Sequence, residues 1–269
     1  MRMKKLIFIV AALILLAVAG VTAWQVYVPI HEDNVSVNAY EDLRQFVQVP
    51  APEPTIQPDT SSSLELTTSP SSEPEPAPSP APQVDFESLR AVNPETVSWL
   101  TIDGTNIDYP VAQHSDNDYY LHHLFTGEWN SSGCLFMDCN NQAEFSDSHT
   151  IIYGHHMDNG TMFQNLMGYK NKSFYDEHPT AHLFTPDGTY TVEFFTGYVT
   201  SVDGDAWKLD FATDAEFEDW IVNAKAKSLF ESPVTPIIAD RIVTLSTCSY
   251  EFYNARFVLL GKLTLEVSS

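Results

Sequence analysis

Apolar positions divide this chain into three regimes. From Leu6 to Trp24 they are nearly continuous, interrupted only by Gly20 and Thr22. A run of that length is what an α-helix needs to cross a bilayer. From His31 to Gln83 the pattern fades. Val49–Pro54 and Ser69–Pro82 are dominated by Pro, Ser and Glu, a composition that buries too little apolar surface to offset chain entropy. It reads as an extended, polyproline-like spacer. Val26 to Phe46 carries a weak signal for a short helical stalk.

From Asp85 onward the pattern becomes one of short runs with period two. β-type runs fall at Val97–Ile102, Ile107–Val111, Cys134–Met137, Thr150–Tyr153, Ala181–Phe184, Tyr190–Val199, Ile242–Thr247 and Arg256–Leu265, separated by Gly, Asn, Asp and Pro. Helical signals interrupt them. Asp85 is placed as the N-cap of a helix, and Asn93–Val97 reads as a second helical turn with its proline near the start. Thr161–Tyr169 carries Met162, Phe163, Leu166 and Met167 at helical spacing. Thr213–Phe230 carries Phe217, Trp220, Ile221, Ala224 and Leu229, with Thr213 and Glu216 forming a capping box. Many short strands with a few inserted helices predict a mainly β fold, a mixed or antiparallel barrel with helical decoration.

Charge narrows the set of partners. Thirty-six acidic against 13 basic residues give a formal net charge of -23, which excludes the clustered cations that nucleic acid binding needs. Arg2, Lys4 and Lys5 precede the apolar run, so the N-terminal end is expected in the cytoplasm and the rest outside. Ala17-Val18-Ala19 before Gly20 resembles a signal-peptide cleavage site. Apolar character continues to Val28, however, and favours a retained anchor. Residues 1–5 are thus expected as a cytoplasmic tail and 6–24 as a transmembrane anchor. Residues 25–84 are expected as stalk and linker, and 85–269 as the globular domain.

Three cysteines are too few for a disulfide scaffold. Cys134 and Cys139 read as packing residues, which leaves Cys248 unpaired. Along the run ending at Cys248, alternation places Thr244, Ser246 and Cys248 on one face and Val243 and Leu245 on the other, facing the core. The next run begins at Arg256. If the two pair as a hairpin, the guanidinium lies beside the thiol. There it favours a thiolate and offers a fork of donors to a developing oxyanion. His155 follows the Thr150–Tyr153 run, where Gly154 lets the chain turn, and a histidine there can move a proton near neutral pH. His122, His123, His149, His178 and His182 sit among polar neighbours without an evident partner. Paired Cys-x-x-Cys or His-x-x-x-His spacing is missing, so no metal and no cofactor is expected.

Tyr153-Gly154-His155-His156-Met157, Thr244-Leu245-Ser246-Thr247-Cys248 and Arg256 together resemble the sortases, most closely class B. Asn93–Leu100, Gly104–Val111 and Asn117–Leu121 resemble the family's N-terminal segments, and Thr213–Phe230 resembles the class B helix before the cysteine strand. The resemblance implies a sortase-type closed β-barrel with N-terminal helices. It implies Cys248 as nucleophile, His155 as acid/base with His156 at a variable position, and Arg256 as the catalytic arginine. Ser246, Asn117 and Leu121 are implied to line the substrate groove. The activity implied is transpeptidation at the surface of a Gram-positive-type bacterium. A sorting-motif-bearing secreted protein is cleaved through a thioacyl-enzyme and passed to an amine of a peptidoglycan precursor or a pilin. Whether the resting pair is thiolate–imidazolium or thiol–imidazole is open at this level. A cysteine peptidase of the cell wall is the rival enzyme, although the order His155 before Cys248 is opposite to the papain type. An anchored binding ectodomain is the non-catalytic rival.

Overall fold

The computed structural model describes residues 2–48 and 83–266, with side chains described for 13–47 and 83–266. The Pro/Ser/Glu-rich linker at 49–82 lies outside the described residues. The chain begins with α1 (Arg2–Leu43), followed by β1 (Val47–Gln48), β2 (Gln83–Val84) and α2 (Phe86–Val92). Strands β3 (Thr96–Thr101), β4 (Asp108–Ala112), β5 (Leu135–Met137) and β6 (His149–Tyr153) come next. After α3 (Lys172–Glu177) the chain forms β7 (Thr180–Thr185) and β8 (Gly188–Ser201). It ends with α4 (Asp214–Ala226), β9 (Arg241–Cys248) and β10 (Ala255–Leu265).

Eight strands close into a barrel in the order β10-β8-β7-β3-β4-β5-β6-β9. The pairings β4–β5 and β6–β9 are parallel and the others antiparallel. Each β-type run expected from alternation became one of these strands, with ends shifted by a residue or two. The barrel interior is filled by Leu100, Leu183, Phe194, Leu245, Phe257 and Leu259 among others. A second apolar cluster lies outside the barrel wall. There α4 lays Phe217, Trp220, Ile221 and Ala224 over Phe195, Tyr198, Ile242, Val258 and Leu260. The outward face of β9 is therefore covered, and strand alternation sorts residues between two cores.

Helix ends follow the capping chemistry. Asp85 accepts a hydrogen bond from the Ser88 amide at 3.0 Å, and Thr213 accepts one from the Glu216 amide at 3.2 Å. Three expectations shift. Residues 93–95 form a turn into β3 rather than a helical turn. Of the helical stretch expected from Thr161, Gln164–Lys170 is a 3-10 helix; Met162 has a positive φ of 54° and does not join it. α4 ends at Ala226, so Leu229 is exposed while Phe230 turns into the barrel core.

The stalk expected at Val26–Phe46 is helical as far as Leu43, and it is docked on the barrel. α1 runs unbroken to Leu43, and its last turns pack on the barrel: Ser36, Tyr40 and Leu43 are buried. The Tyr40 hydroxyl donates to Gly133 O at 2.6 Å, the Arg44 guanidinium pairs with Asp108 at 2.9 Å, and β1 pairs with β2. Apolar residues at helical spacing inside a polar stretch supplied this docked face. Its partner, the 119–134 segment, is remote in sequence, which is why no local pattern showed it.

Candidate active site

The candidate residues converge on a cleft of about 320 Å³ at one end of the barrel, lined by Asn117, Leu121, His155, Ser246, Cys248 and Arg256. Two strand pairings bring them there. β9 and β10 pair antiparallel with Cys248 directly opposite Arg256, a register in which side chains on one face stand roughly 5 Å apart at Cβ. β6 and β9 run parallel with Tyr153 opposite Ser246, and the Gly154 amide donates to Ser246 O at 3.1 Å. That register carries His155 level with Cys248. Glycine is required at 154 because a Cβ there would stand 2.4 Å from Leu135 and 2.6 Å from Phe163.

His155 is oriented by the backbone. Its Nε2 lies 2.8 Å from Leu121 O; a carbonyl only accepts, so Nε2 carries the proton and Nδ1 is left as the free base. Leu121 thus reaches the site through its main chain as well as its side chain. Burial, and then the charges of His122 and Arg256, lower the His155 pKa, while the bond to Leu121 O opposes them. The neutral imidazole is favoured at neutral pH. His156 Nδ1 donates to Cys248 O at 3.1 Å, so the second histidine holds the cysteine's own peptide. Among the described residues, Arg256 makes no salt bridge. Its one side-chain hydrogen bond there runs from a guanidinium nitrogen to Ala255 O at 3.0 Å, which leaves most of its fork for another acceptor.

Cys248 is free and partly exposed, while Cys134 is buried and Cys139 partly exposed; neither of these two lines the cleft. Burial pushes the Cys134 thiol up to about 12, and burial with the charge of Asp138 raises Cys139. Both are held as thiols. Among the described residues no group of three or more His, Cys, Asp or Glu is placed to hold a metal.

Sequence reasoning missed an internal support. The carboxylate of Asp138, only 5% exposed, accepts from Tyr153 Oη at 2.8 Å and from Asn117 Nδ2 at 2.9 Å. The Cys139 amide donates to Asn117 Oδ1 at 2.8 Å. Tyr153 and Asn117 both line the cleft, so one buried carboxylate fixes two walls. Val202 and Trp207, from the connection after β8, also line it. A tryptophan in a connection that also carries Asp203, Asp205 and Asp210 was the available signal. His149 corrects an expectation in the other direction. It is wholly buried, donates from Nδ1 to Lys208 O at 2.7 Å, meets Thr244 Oγ1 at 2.7 Å and packs on Trp220. It belongs to the α4 layer and is no surface histidine.

The family model described as Sortase domain matches residues 100–264. The chain belongs to the sortase family, class B. The sortase is 41% identical over 181 residues to sortase B of Listeria monocytogenes, covering 66% of this chain and 74% of that protein. It is 35% identical over 180 residues to sortase B of Staphylococcus aureus, covering 66% and 74%. Among solved structures, a Staphylococcus aureus sortase B-substrate complex superposes with a TM-score of 0.65 at 34% identity, covering 68% of this chain and 85% of that one. Clostridium perfringens sortase B superposes at 0.64 and 36% identity, covering 67% and 100%. The closed barrel with its inserted helices is thus the sortase fold, and the sortase is a cysteine transpeptidase.

Proposed function

We propose that Cys248, His155 and Arg256 carry the transpeptidation, anchored at the outer face of a membrane by α1. The observation that supports this most directly is the convergence of these three side chains on one cleft, with the Arg256 fork largely uncommitted. His155 Nδ1 takes the Cys248 proton, and the thiolate attacks a backbone carbonyl of the sorting motif, forming a C–S bond. The carbonyl oxygen becomes an oxyanion held by the guanidinium fork and backbone N–H groups. The imidazolium, steadied through Nε2–H by Leu121 O, returns the proton from Nδ1 to the departing amine as the C–N bond breaks. A second amine then attacks the thioester and gives a proton to His155, and Cys248 leaves and is reprotonated. In this reading His155 rests as the neutral imidazole that the cycle needs as its base.

The donor is a secreted protein with a C-terminal sorting motif, and the acceptor an amine of a peptidoglycan precursor or a pilin. Staphylococcus aureus sortase B has been solved in complex with a substrate, and a sortase B has been solved in complex with triglycine. Both support a peptide groove and a glycine-type amine here too. Ser246, Asn117 and Leu121 are the groove residues in this reading. α1 supports the anchor: by length and composition it is apolar enough to cross a membrane, with a window of mean hydropathy 1.9. Arg2, Lys4 and Lys5 orient it with the N-terminus inside.

The test is cleavage of a sorting-motif peptide library by the full chain in detergent, with and without an added amine. Cys248→Ala is expected to abolish both cleavage and transfer. Retained cleavage in that variant overturns the assignment, and release of acid product alone despite added amine points to a peptidase.

A further inference from the structure

We propose that the loop carrying Trp129 rests on the lipid interface of the membrane crossed by α1. The catalytic domain is then seated on the membrane surface, not held off it by the Pro/Ser/Glu-rich segment. The inference rests on the reading of α1 as a membrane span. The apolar stretch and the docked face of α1 meet without a gap. Leu6 to Val28 spans roughly 33 Å of helix, about the thickness of a bilayer core. The docked face starts at the same point: Val28 is half-buried, and Glu32, Ser36, Tyr40 and Leu43 follow at one-turn intervals.

The first polar contacts come at Glu32. Its backbone carbonyl accepts from Asn130 Nδ2 at 2.9 Å, and its carboxylate accepts from Ser131 Oγ at 2.6 Å. Trp129 is the next residue, 63% exposed, on a strand-like turn where it pairs with His123. Trp24, Tyr27 and Ile30 are exposed. Trp24 and Tyr27 stand where an aromatic belt meets headgroups. Glu32 follows Tyr27 by only about 7 Å along the helix axis, within a headgroup layer. Pro29 lies at this junction and removes a helix hydrogen bond there.

The linker does not set the height, because the residues that flank it pair with each other, Val47 with Val84 and Gln48 with Gln83. Height is set instead by α1: Tyr40, bonded to Gly133 beside His155, follows Val28 by roughly 18 Å. Because Glu32 and Glu128 flank Trp129, the attraction is aromatic and interfacial, and neutral phosphatidylcholine is the matching surface.

The experiment uses the full chain in phosphatidylcholine vesicles with brominated acyl chains. The Trp24→Phe chain is compared with Trp24→Phe/Trp129→Phe, leaving Trp99, Trp207 and Trp220 in both. Both are expected to float with the vesicles, and the double variant is expected to lose most of the bromine quenching. Flotation with equal quenching in the two overturns the surface contact while leaving the span intact. Failure to float overturns the span and this inference with it.

Discussion

At the scale of single residues, the site is a set of orientations imposed by main-chain atoms. His155 is turned by Leu121 O, and Cys248 is tied by its carbonyl to His156. Removing His155 should therefore be nearly as damaging as removing Cys248. His156→Ala should cost only a few-fold, since it loosens a peptide and moves no proton; kcat/KM for the two variants checks the ranking, and the reverse order reassigns the base. Arg256→Lys replaces a fork by a point charge. A loss of about 10²-fold in kcat/KM is expected, the scale of one oxyanion donor, and near-normal turnover would reduce Arg256 to a structural role. Asp138→Asn puts an amide where two donors, Tyr153 Oη and Asn117 Nδ2, need an acceptor. KM should rise while the alkylation rate of Cys248 stays the same, because the groove is disturbed and the nucleophile is not. The candidate residues were legible because each stands at the end of a recognisable strand. Asp138 was not, because its role is a contact among three segments that only the closed barrel brings together.

At the scale of elements, the β9–β10 hairpin needed nothing beyond period-two alternation and a turn. Its connection is further pinned where Lys170 meets Ser249 and Glu251, an interaction that with Ser249 takes the Glu251 carboxyl down to about 2. The docked half of α1 is the opposite case. Tyr40 and Leu43 are 3% and 4% exposed, and burying two such side chains contributes on the order of 3–6 kcal/mol. A chain beginning at Gln83 should therefore unfold at markedly lower urea than one beginning at Glu32, and should lose activity with it. Equal midpoints would show that the helix packs without stabilising. An assay on a soluble form needs the docked helix retained.

At the scale of the whole molecule, two cores share one barrel wall, and His149 joins the outer core to β9. Burial takes its pKa down to about 4 from 6.5, so the unfolded chain binds the extra proton first. Stability is present above the unfolded value near 6.5 and is lost as pH falls toward the folded one. Between pH 7 and pH 5 the loss from this one group is about 2 kcal/mol. Urea unfolding at the two pH values should show it, and His149→Gln should flatten the difference. An unchanged difference would place the acid sensitivity elsewhere.

What the sequence by itself determined is whatever depends on neighbours along the chain. Alternation set the strands, capping boxes set the helix starts, and the apolar run set the candidate span. The motif residues around His155, Cys248 and Arg256 set the candidate site, because short-range geometry translates directly into spacing. The tertiary structure decided what depends on partners remote in sequence. It buried His149 under α4, placed Asp138 behind Asn117 and Tyr153, and folded the expected stalk back onto Gly133 and Asn130. It also paired Val47–Gln48 with Gln83–Val84, the residues on either side of the expected spacer. Those outcomes follow from close packing, in which a polar or apolar residue takes its role from whatever the closed barrel sets against it.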